Sequence, residues 1–273
     1  MLSVCATPIG NLEDVTLRVL RELSEADVVL CEDTRHTRVL LDRHGIRTKL
    51  LSNHEHNEAK RTAELLPRLL AGERVALVSD AGLPGVSDPG ARLIAAALDA
   101  GVRVTVLPGP SAVETALVTS GLIADGYVFV GFFPRKSADV RGLLASVGAT
   151  HYPVVAFESP QRLAKTLAAI AEVDRDWPVA VCRELTKVHE EVVRGTASQL
   201  AAQYAEASPR GELVVVLAAR APEDALAVAH EDRVAVAELV DSGVPRRQAA
   251  RVVARLTGAS ANALYDASLE DRP

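Results

Sequence analysis

The densest set of reactive side chains is Glu32-Asp33-Thr34-Arg35-His36-Thr37-Arg38. A carboxylate pair can accept or orient the proton of a nucleophile. Arg35 and Arg38 stand three residues apart and share one face if the segment is helical, and paired guanidiniums suit phosphate. Asp33 or Thr34 would also cap a helix starting here and complement its dipole. The candidate catalytic set is therefore Asp33 and Glu32, with Arg35 holding phosphate and His36 in reserve.

Three further segments are rich in backbone-exposing residues. Thr7-Pro8-Ile9-Gly10-Asn11 follows a short apolar run, and Gly10 permits close approach of another backbone or a ligand. The thirteen residues Val78–Gly90 hold three Gly, two Pro and two Asp, more than a plain connection needs. Asp80 or Asp88 can take a hydroxyl or an ammonium, although Asp88-Pro89 also reads as a helix start. Leu107-Pro108-Gly109-Pro110-Ser111-Ala112 opens another helix, with Ser111 as N-cap or as part of a polar rim. Such turns suit an adenosine and an amino-acid tail held by main-chain hydrogen bonds. None of them matches GxGxxG or GxxxxGK[ST], so neither a dinucleotide fingerprint nor a P-loop is present.

Asn53-His54-Glu55-His56-Asn57 has two imidazoles but no helical HExxH spacing and no cysteine cluster beside it, so no metal site is expected. It reads as the polar rim of a cleft. Phe132-Phe133-Pro134-Arg135-Lys136 is either a nucleic-acid edge or a buried aromatic pair with solvated cations. Arg247, Arg251 and Arg255 recur every fourth residue near the C-terminus, after Arg246, and form one basic stripe. A solvated helix face explains the stripe as well as RNA contact does.

The elements that must position these groups alternate. Leu2–Cys5, Asp27–Cys31, the region of Leu50, Arg74–Val78 and Val102–Leu107 read as strands. Between them lie helical periods over Thr16–Leu23 (Asp14 as N-cap), Thr34–Arg43, Asn57–Leu70 and Pro89–Ala100 (Asp88 as N-cap, Pro at N1), and Ser111–Gly121 follows the last strand. This order predicts a mostly parallel sheet with helices on both faces. Loops at the C-terminal strand ends then form the site.

Gly121–Gly126 reads as a hinge. Beyond it come strands at Tyr127–Phe132, Pro153–Phe157, Val179–Arg183 and Glu212–Leu217, and helices at Ser137–Val147 and Pro160–Val173, as expected of a second α/β lobe with a mixed sheet. Arg220–Ala227 reads as a linker to a small helical tail, Asp232–Asp266, with a helix-turn-helix outline over Val234–Leu256. The expected organisation is an N-terminal lobe (1–120), a C-terminal lobe completing the cleft (121–220) and the tail (228–273).

The chain has 273 residues, a net charge of −6 and 3% aromatic residues. An RNA role must then rest on local basic patches, and a base-stacking aromatic platform is disfavoured. Cys5, Cys31 and Cys182 are far apart and suit buried free thiols. No signal peptide or apolar span of membrane length is visible, so cytoplasm is the default.

The blocks TPIGNLEDVTLRVL, EDTRHTRVLL, SNHEHN, VSDAGLPGVSDPG, LPGPSAV, GFFPRK, FESPQRL and CRELTKVHEE, running from about Leu2 to Leu217, resemble a family of small-subunit ribosomal RNA methyltransferases with the two-lobed tetrapyrrole methylase fold. The resemblance implies a homodimer, S-adenosylmethionine in the cleft between lobes, and 2′-O-methylation of a cytidine in the decoding centre of 16S ribosomal RNA within the 30S subunit. It places the cofactor against Pro8, Ile9 and Gly10, against Val78, Ser79, Asp80 and Leu83, and against Ser111 and Ala112. Tetrapyrrole-modifying members carry Gly-Gly-Asp where this chain has Val78-Ser79-Asp80. Arg35, Arg38, Arg135 and Lys136 are the candidate RNA contacts. A precorrin methyltransferase and a non-catalytic RNA-binding protein are the other readings. The first needs no basic stripe, and the second predicts no affinity for the methyl donor.

Overall fold

The computed structural model describes residues 1–85, 88–148, 150–220, 230–257 and 259–270. The chain forms two compact units, one of Met1–Gly142 with Pro153–Ala218, the other of Leu143–Tyr152 with the chain from Ala219 onward. Residues 221–227 of the expected linker lie outside the described residues.

The first unit contains two five-stranded sheets. In one, β1 (Leu2–Cys5), β2 (Val28–Cys31), β3 (Leu50–Ser52), β4 (Val75–Leu77) and β5 (Val104–Leu107) lie in the order β3-β2-β4-β1-β5, all parallel. The helices between and after them are α1 (Leu17–Glu25), α2 (Thr34–Arg43), α3 (Glu58–Leu70), α4 (Ala91–Asp99) and α5 (Ala112–Ser120). Alternate strand residues feed opposite cores. Cys5, Val29, Cys31 and Ala76 cluster with Val19, Leu23, Leu40 and Leu41, and Leu2, Val4, Val28, Leu30 and Leu77 cluster with Leu65, Leu69, Leu93 and Ala97. Burial of both faces explains why the inner strands β2 and β4 are apolar at every position. The register pairs Cys5 with Leu107, Leu30 with Leu77 and Cys31 with Ser52, so the turns after all five strands emerge at one edge.

Two helix starts differ from expectation. Thr16, not Asp14, caps α1 by accepting from the Val19 amide; Asp14 closes a 3-10 turn, Leu12–Asp14, capped by Asn11. Asp88 and Pro89 stand before α4, whose N-cap is Gly90 at φ +134. The capping carboxylate comes from elsewhere, because Glu58 Oε1 accepts from the Gly90 and Arg92 amides at 2.8 and 3.2 Å. Sequence-local rules cannot see a cap supplied by another helix.

The second sheet holds β6 (Val128–Phe132), β7 (Val154–Glu158), β8 (Pro178–Arg183), β9 (Glu191–Thr196) and β10 (Leu213–Leu217), ordered β6-β7-β10-β8-β9. β6 and β7 are parallel and the remaining pairs antiparallel, so the sheet is mixed, as expected. The same stretch of chain forms α7 (Pro160–Val173) and α8 (Ala197–Glu206), and α6 (Ser137–Gly148), which begins in the first unit and ends in the second. β9 and α8 are additions to the expected elements. β9 is an edge strand with a half-buried, polar-rich sequence. α8 carried a legible signal, since Thr196 and Gln199 form a reciprocal capping box.

In the second unit, α9 (His230–Asp241), α10 (Arg246–Thr257) and α11 (Ala261–Glu270) close on Val236, Ala249, Ala250, Val253, Leu264 and Ala267. α11 adds a third helix to the expected helix-turn-helix.

Candidate functional site

The turns at the sheet edge are stitched together by backbone bonds. Thr7 and Gly82 form a two-way bridge, with N–H to O distances of 2.9 and 3.1 Å. Gly82 has φ +75, a left-handed conformation that disfavours any side chain. The Thr7 hydroxyl donates to the Ser79 carbonyl at 3.0 Å, and the Ser79 hydroxyl donates to the carbonyls of Ala81 and Gly82. The Ala6 amide donates to Leu107 at 3.1 Å. A Cβ on Gly109 would lie 2.9 Å from that of Ala6, so only glycine lets the β5 turn lie this close to the β1 turn.

These turns wall a cavity of about 1060 Å³, whose other side is built from the second sheet. Ile9, Asp80, Leu83, Ser111 and Ala112 line it, together with Phe129, Phe157, Leu185 and Val214. Its size and largely apolar wall with few polar groups are those of a small-molecule site. The other proposed cofactor contacts sit differently. Pro8, Val78 and Ser79 are buried, and the hydroxyl of Ser79 is spent on the loop itself. Gly10 does allow a close approach, but of protein: a Cβ there would lie 2.5 Å from Lys187 Cγ and 2.9 Å from the Leu185 carbonyl. The segment it meets is strained, with Glu184 and Thr186 at φ +51 and +66.

Ser111 is the N-cap of α5 yet gives the helix no side-chain acceptor. Its hydroxyl instead donates to Glu114, whose other oxygen accepts from Tyr127 at 2.5 Å. Burial pushes the Glu114 pKa up, but these hydrogen bonds outweigh it and hold the carboxyl below its usual range. The Ser111 side chain thus leaves the first-turn amides of α5 uncapped, although the Glu114 carboxylate takes the amide of its own residue. Glu114 and Tyr127 line the cavity and were missed from sequence, although Ser111-x-x-Glu114 has capping-box spacing. Glu158, another lining residue, is fully buried. Arg162 at 2.8 Å, Thr166 at 2.5 Å and the Ser159 amide at 2.7 Å hold it.

The carboxylate pair at the tip of β2 is split by its surroundings. Asp33 caps α2 by accepting from the Arg35 amide and is clasped by the Arg35 guanidinium at 2.6 Å. That pairing pulls its pKa down to about 2. Glu32 moves the other way, pushed up by burial and then by the charge of Asp80. The Asp33 amide donates to Asp80 Oδ1 at 3.1 Å, joining this tip to the cavity wall. Asp88, also lining the cavity, is pushed up to about 6 by burial, Glu32 and Asp80, against a hydrogen bond from Ser79. Glu32 and Asp33, adjacent in sequence, thus differ in proton affinity, one through burial and the other through an exposed ion pair.

Arg35 and His36 are exposed and Arg38 is half-buried; none of the three lines the cavity. Arg135 and Lys136 are exposed. The adjacent aromatics divide, Phe133 buried and Phe132 exposed at the cavity margin. The His54 and His56 rings sit 6.0 Å apart. Among the described residues no group of three or more His, Cys, Asp or Glu could hold a metal ion. The three cysteines are buried free thiols. No helix of the described residues is long and apolar enough to cross a membrane.

Comparison with known proteins gives a consistent result. The family model for tetrapyrrole (corrin/porphyrin) methylases matches residues 1–201. A ribosomal RNA small subunit methyltransferase I from Mesorhizobium japonicum is 45% identical over 98% of this chain and 91% of its own length. A protein of the same name from Thermotoga maritima is 44% identical over 80% of this chain and 98% of its own. Among solved structures, uroporphyrin-III C-methyltransferase from Thermus thermophilus, complexed with S-adenyl homocysteine, shares the fold with a TM-score of 0.57 at 20% identity, covering 80% of this chain and 96% of that one. In sequence and in fold, then, the chain belongs to the tetrapyrrole methylase family, in the branch whose members are named ribosomal RNA small subunit methyltransferase I.

Proposed function

We propose that this chain transfers a methyl group from S-adenosylmethionine to small-subunit ribosomal RNA, on the 2′-oxygen of a cytidine ribose in the decoding centre. The observation that carries the reading is the cavity where the β1, β4 and β5 turns meet the second sheet. The names of the relatives in this branch support the RNA substrate. The resemblance supports a homodimer of two-lobed subunits acting on the 30S subunit; the pattern of the sequence supports lobes divided at 1–120 and 121–220 with a tail at 228–273, and the cytoplasm is the default compartment.

The lining fits the methyl donor. Apolar Ile9, Leu83 and Ala112 suit an adenine, and Asp80, Asp88 and Glu114 set a negative field that suits a sulfonium and an ammonium. When bound, the cofactor supplies an activated methyl group. Asp80 and the α5 amides hold the polar parts, with Ser111 beside them, while Pro8, Gly10, Val78 and Ser79 hold the turns in place. The protein's main contribution is alignment of the ribose oxygen, a term that reaches roughly 7–11 kcal/mol in ideal cases. Asp33 is committed to Arg35 and to the α2 cap. Glu32 has the raised proton affinity, and it takes or orients the hydroxyl proton. Arg35 and Arg38, with Arg135 and Lys136, meet phosphates, and His36 is a reserve base.

The test is single-turnover methylation of unmodified 30S subunits, run beside calorimetry with the donor. Glu32→Gln keeps donor affinity and slows transfer by ~100-fold, the lower range for a general base, whereas Asp80→Asn weakens donor binding. Donor binding by wild type with methyl transfer to a precorrin and none to 30S would reject the RNA substrate. An unaffected Glu32→Gln rate would reject the base.

A further inference from the structure

α10 (sequence RRQAARVVARLT) has two sharply different faces. Ala249, Ala250 and Val253 are buried against the rest of the three-helix unit. The opposite face exposes Arg247, Gln248, Arg251 and Arg255, with Leu256 81% exposed beside them. Arg246 is used internally, donating to the Ser268 carbonyl. Arg247 is steadied by the Tyr265 ring, 5.3 Å from its guanidinium carbon. No ion pair holds Arg247, Arg251 or Arg255 among the described residues.

Charge on α10 is of one sign, whereas α9 mixes Arg233 with its acids. α10 has four arginines and no acid, while Glu231, Asp232, Glu238 and Asp241 lie on α9 and Asp266 on α11. An ordinary solvated helix mixes signs at i,i+4, where like charges repel. Arg247, Arg251 and Arg255 instead make a like-charged ladder with ~6 Å rungs, about 12 Å long, the axial reach of a few phosphates on one strand.

We infer that the exposed α10 face is a docking surface for ribosomal RNA, gripping its phosphate backbone through Arg251 and Arg255, with Arg247 braced at one end. The inference rests on the RNA substrate proposed above and adds a second contact outside the cavity. It predicts affinity without sequence discrimination, because phosphate contacts position rather than specify.

The experiment uses the full chain carrying Arg251→Glu and Arg255→Glu together, with Arg251→Gln and Arg255→Gln as a milder pair. Binding to unmodified 30S subunits is measured by anisotropy across a salt series, and donor binding by calorimetry. Both pairs are expected to keep the wild-type donor affinity and thermal melt. RNA affinity falls at least ~10-fold at low salt for the Glu pair, and the slope of log affinity against log salt drops by about 2, one per lost phosphate contact. An unchanged affinity and slope in a folded pair overturns the inference and leaves the methyltransferase reading intact. A wild-type chain with no affinity for unmodified 30S subunits overturns both.

Discussion

Replacing Asp88 with asparagine isolates the cost of a carboxyl charge in the cavity wall. In the folded chain this carboxyl releases its proton near 6 rather than 3.8, because burial strips its water and Glu32 and Asp80 add like charge. Below pH 3.8 both states hold the proton and the group costs nothing. Between 3.8 and about 6 only the folded state keeps it, so stability falls as pH rises through that window and stays lower by a fixed amount above it. For a sealed site the interval corresponds to ~3 kcal/mol. Asp88 is half-buried, and solvent screening reduces the figure to roughly 1–2 kcal/mol. Asparagine keeps the shape and has no charge at any pH. Urea unfolding followed by Trp177, the one tryptophan and almost fully buried, reads the difference. The variant should be more stable than wild type by ~1–2 kcal/mol at about pH 7.5 and equal to it within about 0.5 kcal/mol near pH 4. An equal difference at both pH values would mean packing, not charge, and a less stable variant at pH 7.5 would refute the sign.

Two further substitutions probe the frame around the cavity. Arg162→Met leaves the buried carboxylate of Glu158 without its cation and should cost ~3–5 kcal/mol in denaturant unfolding, with most of the loss recovered by adding Glu158→Gln; a single variant within ~1 kcal/mol of wild type would show the pair to be dispensable. Gly10→Ala drives a methyl group against the Leu185 carbonyl and should cost ~1–3 kcal/mol, seen as a melting temperature lowered by roughly 2–4 °C per kcal/mol; an unchanged melt would mean that the strained segment from Glu184 to Thr186 yields freely.

Much of this protein was legible from local pattern. Parallel strands such as Val28–Cys31 are apolar at every position because both their faces are covered, and that signal needs no knowledge of partners. Glycine at 82 in a left-handed turn and Asp33 before a helical period are likewise consequences of backbone chemistry within a few residues. What tertiary structure decided is which groups share an environment. Glu32 and Asp33 are adjacent in sequence, yet one is desolvated beside Asp80 while the other is spent on Arg35. The α4 cap comes from Glu58, 32 residues before Gly90, and Gly10 meets Lys187 rather than a ligand. Proton affinity and steric fit depend on distance through space, which strand order sets, whereas strand and helix depend on spacing along the chain, which the residues set by themselves.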